Sequence, residues 1–236
     1  MKILALETST EYCSVALWQD GDVTERCELV GQKHSEMLID MLDALMQDAG
    51  CRMQNLDGIA FGSGPGSFTG VRIACGAVQG LALGANLKVA GICTLLALAE
   101  AAGHPKVIAA LDARMGEIYC AAYEKCDGEW LSVFDPTLCK PEEAPLLAGE
   151  DWFGAGSGFA AFGEALQARY AGQLSGMDGS AIPQAAAIAA LGAMQFANGL
   201  GVDAALAQPF YLRDKVALKT AEREQLAAER KLQTAA

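Results

Sequence analysis

The chain has 236 residues, of which 52% are hydrophobic and 19% are charged, and this balance excludes an intrinsically disordered protein. Its formal net charge of -12 argues against direct binding of tRNA or DNA, because phosphate contacts need clustered lysine and arginine. The apolar run at the N-terminus ends at Glu7, which is too early for a signal peptide. The longest apolar run of the chain contains Gln79 and Asn86 and is too short to span a bilayer. We therefore expect a cytoplasmic protein without signal peptide or membrane span.

The first half of the chain predicts a mixed β-sheet covered by helices. Hairpin strands are followed by strand–helix–strand crossovers, an order that combines antiparallel with parallel pairing. The predicted strands span 2–7, 12–18, 22–30, 57–61 and 88–93. The predicted helices span 34–49 and 94–102, and a further helix begins in a glycine-rich stretch and runs to about residue 84.

The second half of the chain opens with the same pattern. In both halves an apolar strand ends in an acid, at Glu7 and at Asp112, and the chain then returns as Tyr-Cys followed by apolar residues. This internal repeat predicts two related lobes. We place the lobes at 1–103 and 104–212, followed by a charged, partly flexible tail at 213–236.

Two lobes of this kind are typical of the actin-like, sugar kinase and Hsp70 fold, a duplicated ribonuclease H-like α/β architecture. In active members the two hairpin turns face a nucleotide cleft, and each turn carries a glycine beside its acid. Neither turn has that glycine here, so we expect a degraded phosphate grip. The residues predicted to line a vestigial nucleotide cleft are Glu7, Thr8, Gly64, Gly66, Ser67 and Asp112.

A glycine-rich stretch, 62–73, joins a predicted strand to a predicted helix. Backbone N–H groups at such a helix start can bind phosphate. The spacing fits neither a P-loop nor a dinucleotide fingerprint, and the nearest cation is Arg72. The alternative is a tight turn that seats the helix, with Ser67 or Thr69 as its N-cap.

Two helices each allow a structural and a partner-binding interpretation. In the helix 34–49, apolar residues recur at helical spacing, which fits a core-facing side or a methionine-rich partner surface. In the next helix, Gly76, Gly80 and Gly84 form a stripe that fits close packing against the chain's own sheet or against another chain.

The remaining motifs argue against familiar catalytic sites. The eight cysteines include no C-x-x-C pair, so we interpret them as reduced core residues. With two histidines in the chain, we predict no metal site. Ser67 does not stand in a G-x-S-x-G motif, and the chain has no H-E-x-x-H, which disfavours a peptidase.

Several literal strings resemble the TsaB (YeaZ) family, in order, over nearly the whole chain. The strings span residues 4–10, 13–17, 64–73, 112–119 and 211–213. The resemblance implies a non-catalytic scaffold that activates TsaD, the enzyme that threonylcarbamoylates the adenosine next to the anticodon of tRNA. TsaD-like chains hold a metal with a histidine pair, whereas this chain has the single His34 there, so we expect no transferase activity from it alone.

The resemblance also implies partners. These are TsaD in a heterodimer, the ATPase TsaE, a second copy when the chain is alone, and tRNA only indirectly. No intrinsic cofactor is implied, although a nucleotide could bind at the partner interface. The implied interface residues are Met37, Leu38, Met41, Leu45, Arg72, Gly76, Gly80 and Gly84. The alternative is an independent ATP-hydrolysing or phosphotransfer enzyme of the same fold.

Overall fold

The computed structural model describes residues 1–213, so the predicted tail lies outside the described residues except for Arg213. The strands of the first half are β1 (Lys2–Glu7), β2 (Tyr12–Gln19), β3 (Asp22–Leu29), β4 (Gly58–Gly64) and β5 (Lys88–Cys93). Its helices are α1 (His34–Asp48), α2 (Phe68–Ala85) and α3 (Thr94–Ala102).

The second half repeats the strand pattern and adds two helices. Its strands are β6 (Lys106–Arg114), β7 (Glu117–Cys126), β8 (Glu129–Cys139), β9 (Trp152–Ala155) and β10 (Leu174–Asp178). Its helices are α4 (Ser157–Arg169) and α5 (Ala185–Ala197).

The two halves build two five-stranded sheets with the same strand order. The first sheet is ordered β3-β2-β1-β4-β5 and the second β8-β7-β6-β9-β10. In each sheet the first three strands pair antiparallel and the last two add in parallel. The predicted two-lobed, actin-like α/β fold with mixed sheets is therefore confirmed.

The central strand β1 shows why its sequence is an almost unbroken apolar run. Side chains alternate between the two faces of a strand. Leu4 and Leu6 pack into the core beneath α1 and α2, whereas Ile3 and Ala5 pack against α5 on the opposite face. A strand with one solvated face carries a polar residue at every second position. Helices cover both faces of β1, so its central residues are apolar on both sides.

Two helices each pack against the sheet of the other half of the chain. Although α3 belongs to the first half of the chain, its Leu95 and Leu98 pack in one cluster with Val107 of β6 on the second sheet. Conversely, α5 belongs to the second half but packs its Ile188 against the first sheet. The predicted lobe boundary at 103/104 remains a prediction, and it separates each of these helices from the sheet that it covers.

The glycine in α5 fits the close approach of this helix to β4. A Cβ built at Gly192 would lie 2.5 Å from the Cβ of Ala60, which is too close unless one of the two backbones moves. In the same way, the Cβ of any residue at Gly58 would meet the ring of Phe196. Small residues on both surfaces therefore set how closely α5 approaches the sheet.

α2 combines length and hydropathy that would suffice for a membrane-spanning helix. One third of its 18-residue span is buried, and helices in the cores of folded domains pass the same test. Its buried side, which includes Val71, Ala74 and Val78, packs into the core of the first lobe. The opposite side faces outward.

The packing of α5 predicts different effects for two glycine-to-alanine substitutions. Gly192→Ala should lower the free energy of unfolding by about 1–3 kcal/mol, because the added methyl group overpacks the contact with Ala60. Gly163→Ala, in α4 where a Cβ meets nothing within 4 Å, should change it by less than about 1 kcal/mol, because the added methyl group overpacks no contact and the position follows the kink at Phe162 rather than lying in a regular helix. Urea denaturation of both variants measures the difference, and equal effects would contradict this account of the α5 contact.

Candidate functional site

A cleft of about 750 Å³ lies between the hairpin turns of the two lobes. Its walls come from the first turn, the start of α2, the second turn and the last described residues. These segments are Ser9–Tyr12, Pro65–Phe68, Leu111–Met115 and Phe210–Arg213. The cleft therefore lies where the duplicated fold predicts a nucleotide site.

A chain of polar contacts joins the two turns across the cleft. The Arg114 guanidinium donates to Asp112 Oδ2 at 2.9 Å within its own turn, and it lies 3.4 Å from Glu11 Oε1 of the opposite turn. Arg213 pairs with Glu117 and contacts the sulfur of Met115 at 3.2 Å. Both arginines that line the cleft are thus already engaged by carboxylates, which weakens the site as a phosphate grip.

Glu7 lies beneath the first turn rather than in the cleft. Its carboxylate accepts a hydrogen bond from the backbone N–H of Ser9, and its second oxygen, Oε2, is buried without a partner. A Cβ on Gly62 would come within 1.7 Å of that oxygen, so glycine is required there. Burial raises the pKa of Glu7 to about 7, against the opposing effect of the hydrogen bonds from Ser9.

The glycine-rich loop fits tightly against the first turn. The N–H of Ser67 donates to Ser9 O at 2.7 Å, and Thr8 Oγ1 donates to Gly70 O at 2.7 Å. A Cβ on Gly66 or Gly70 would collide with backbone or side-chain atoms of this turn. The loop's glycines therefore serve close packing of the chain on itself.

Ser67 is the N-cap of α2, which confirms one of the two predicted capping residues. Its hydroxyl accepts from the N–H of Gly70 at 3.3 Å. With the Ser67 N–H bonded to Ser9 and the Gly70 N–H to this hydroxyl, two of the loop's donors are unavailable to a phosphate. The structure thus supports the tight-turn interpretation of the loop.

The predicted cleft residues separate into two groups. Gly66, Ser67 and Asp112 line the cleft. Glu7, Thr8 and Gly64 are buried behind it and are not among its lining residues, which corrects their predicted position. Gly64 is covered by the carbonyl of Phe210, because residues 210–213 cross back over the loop.

α1 turns its predicted partner face into the core. Leu38, Met41 and Leu45 are at most 5% exposed and pack with the first sheet, and Met37 is half-buried beside them. This corrects the predicted partner role of Leu38, Met41 and Leu45, because burial leaves them no surface to offer, whereas the partner role of Met37 stays a prediction. His34 is buried as well, with its Nε2 3.1 Å from the carbonyl oxygen of Tyr12.

The outward side of α2 carries the predicted glycine stripe. Gly76, Gly80 and Gly84 are exposed, and a Cβ built at any of them meets nothing within 4 Å. Leu83, on the same helix, is 78% exposed. The structural interpretation of the stripe, close packing on the chain's own sheet, is therefore wrong for the described residues.

An aromatic cluster at the start of α2 was not predicted. The Arg72 guanidinium lies 3.2 Å from the centre of the Phe68 ring and 5.1 Å from that of Tyr211. The sequence places Tyr211 far from this helix, so only the return of residues 210–213 over the glycine-rich loop could reveal the cluster. It joins the rim of the cleft to the outward side of α2.

Comparison with known proteins identifies the family. TsaB of Escherichia coli (strain K12), described as a tRNA threonylcarbamoyladenosine biosynthesis protein, is 39% identical over 93% of this chain and 97% of its own length. This chain belongs to the TsaB family. TsaB of Haemophilus influenzae is 36% identical over 93% of the chain and 96% of its own length.

Structure and family models agree with this assignment. The solved structure of YeaZ from Pseudomonas aeruginosa superposes with a TM-score of 0.83 and 38% identity, covering 89% of this chain and 99% of that one. The family model for TsaD, tRNA N6-adenosine threonylcarbamoyltransferase, matches residues 27–221. A TsaB-family chain thus shares sequence features with TsaD over most of its length.

The buried carboxyl group predicts a pH-dependent stability. The pKa of Glu7 is raised in the folded state, so the folded chain binds more protons than the unfolded chain between pH 4.5 and about 7. Stability should fall as the pH rises through that window, by about 3 kcal/mol from this group. Glu7→Gln should remove this fall, because the amide stays neutral while keeping an acceptor for Ser9.

Urea denaturation at pH 5 and pH 8 measures the effect. Glu36→Gln, at an exposed position on α1, is the matched control and should retain the wild-type pH dependence. If the wild type and Glu7→Gln show the same difference in unfolding free energy between the two pH values, the carboxyl group is ionised in the folded protein across the range.

Proposed function

We propose that this chain is a non-catalytic scaffold that pairs with TsaD and activates it for threonylcarbamoylation of the adenosine next to the tRNA anticodon. The observation that supports this proposal most directly is the outward glycine stripe of α2. The family's place in threonylcarbamoyladenosine biosynthesis supplies the pathway.

The glycine stripe is costly to the isolated chain. Each glycine inside a helix costs about 1 kcal/mol relative to alanine, so Gly76, Gly80 and Gly84 together cost about 3 kcal/mol. No contact among the described residues requires their small size, because a Cβ at each position meets open space. A helix of another chain that approaches this side closely would require it.

TsaD is the partner that best fits this surface. The TsaD family model extends over residues 27–221 of this chain, which includes α2, so the partner is expected to present a related helix. Two related chains can then contact each other through the same helix face, in an arrangement like the isologous interface of a two-fold dimer. The same surface would hold a second copy when TsaD is absent.

The cluster of Phe68, Arg72 and Tyr211 extends this surface to the rim of the cleft. Aromatic residues and arginine are the types that dominate binding energy at protein interfaces. Arg72 has no carboxylate partner among the described residues, so its charge is available to a partner. We therefore include these three side chains in the proposed interface, together with the glycine stripe.

A non-catalytic role agrees with the state of the polar groups. His34, which the family resemblance places in the metal-binding region of TsaD-like chains, is buried against a backbone carbonyl. Asp112 is engaged by Arg114 and Glu7 lies outside the cleft. With a net charge of -12, the chain would meet tRNA only through its partners, TsaD and the ATPase TsaE. A nucleotide would bind where the cleft rim meets the partner.

A reconstituted reaction tests the proposal. TsaD, TsaE, tRNA and threonylcarbamoyl-adenylate are combined with and without this chain, and the modified fraction of the tRNA is measured. We expect modification only when the chain is present, and none from the chain without TsaD. Equal modification in its absence would overturn the scaffold role. Sustained ATP turnover by the chain alone would favour the alternative, an independent ATP-hydrolysing enzyme.

The glycine stripe predicts a variant that separates folding from pairing. Gly80→Leu should leave the chain folded, because the side chain projects into open space, and should weaken pairing with TsaD at least about tenfold, or about 1.4 kcal/mol. Gly163→Leu, on α4 where a Cβ likewise meets nothing within 4 Å, is the control and should pair normally.

Circular dichroism and calorimetric titration with TsaD give the two readouts. Normal pairing by a folded Gly80→Leu variant would place the interface elsewhere on the chain. Loss of the fold in this variant would mean that α2 packs within the chain on its glycine side.

A further inference from the structure

Two thiols lie in direct contact on the second sheet. The sulfur atoms of Cys120 in β7 and Cys139 at the end of β8 are 3.6 Å apart, although the residues are 19 positions apart in sequence. All eight cysteines lie in the described part of the chain and are reduced. Of these, only Cys120 and Cys139 lie within hydrogen-bonding distance of each other.

The strand register explains how these two side chains meet. β7 and β8 pair antiparallel, with Ile118 opposite Cys139 and Cys120 opposite Thr137. Side chains two positions apart on a strand share a face, so Cys120 and Cys139 are diagonal neighbours on one side of the sheet. That side faces the core of the second lobe.

The two thiols differ in environment. Cys120 is fully buried, whereas Cys139 is partly exposed at the end of its strand. The hydrogen bond from Cys120 lowers the pKa of Cys139, and Arg169 lowers it further, while burial and the charges of Glu143 and Glu117 act in the opposite direction. The same hydrogen bond and burial raise the pKa of Cys120. Cys139 is therefore the accessible thiol with the greater thiolate character.

We propose that Cys120 and Cys139 form a dithiol that hydrogen peroxide oxidises to an intramolecular disulfide. The Cys139 thiolate attacks one peroxide oxygen, the O–O bond breaks, and the released hydroxide takes a proton to leave as water. The Cys120 sulfur then attacks the resulting sulfenic sulfur, the S–O bond breaks, and a second water leaves with the Cys120 proton. The two thiols lose two electrons in total, and the peroxide gains them.

Closing the bond needs a local movement. The sulfur atoms must approach from 3.6 Å to about 2.05 Å, the length of a disulfide bond. Cys139 is the last residue of β8, and its partner strand has a register irregularity just after Cys120, so this corner of the sheet is less constrained than its centre. The cross-link would tie β8 to β7 three residues beyond Glu117, which binds Arg213 at the cleft.

Peroxide treatment of the reduced full-length chain tests this proposal. After limited oxidation, free thiols are alkylated in denaturant and the disulfide-linked peptides are mapped by mass spectrometry. We expect a monomer that has lost two hydrogen atoms, a linked Cys120–Cys139 peptide pair, and an increase in melting temperature that dithiothreitol reverses, since a cross-link restricts the unfolded chain.

Variants assign the two chemical steps. In Cys120→Ser, Cys139 should stop at the sulfenic acid, which dimedone traps; in Cys139→Ser, the buried Cys120 should remain unoxidised. Cys126→Ser, at an exposed position of the same strand, should form the cross-link as the wild type does. If peroxide oxidises Cys27 or Cys126 while Cys120 and Cys139 stay free for alkylation, the proposal is wrong. The wild-type map decides this even where a serine variant fails to fold.

Discussion

The packing of the glycine-rich loop against the first hairpin turn determines the position of α2 and the shape of the cleft beside it. Ser9 accepts the N–H of Ser67 and Thr8 donates to the carbonyl of Gly70, so the end of β1 fixes the start of α2. Glu7 fills the space beneath the same turn, against Gly62. Any side chain larger than hydrogen at the loop's contact points would lift α2 from the lobe and change both the cleft and the outward side of the helix.

Local sequence patterns predicted much of the fold but could not predict which side of a helix faces out. The apolar run of β1 and the repeated strand-acid-turn pattern led to the duplicated sheets, because these depend on neighbouring residues and on a repeat. The apolar periodicity of α1 is the same for a core face and a partner face, and only packing shows that Met41 belongs to the core. In α2, the spacing of Gly80 with its neighbours was visible, but not its exposure.

The contacts missing from the sequence-based prediction are those between distant segments. Tyr211 lies near Arg72 because residues 210–213 cross the loop, and Arg114 meets Glu11 because the two turns face each other. Likewise, Cys120 and Cys139 meet through the register of β7 with β8, which no C-x-x-C spacing could indicate. Motif searches detect residues that are close in sequence, whereas these sites are assembled by strand pairing and chain return.

The exchange of α3 and α5 between the halves has a consequence for how the chain folds as it is made. One face of the first sheet stays uncovered until α5 has been synthesised, because Ile188 and its neighbours supply that side of the core. At about 5–20 residues per second, the ribosome needs roughly 5–20 s to extend the chain from Ala102 to Ala197. During this interval the nascent first half exposes Ile3, Ala5 and Ala60, and transiently exposed apolar surface of this kind favours aggregation.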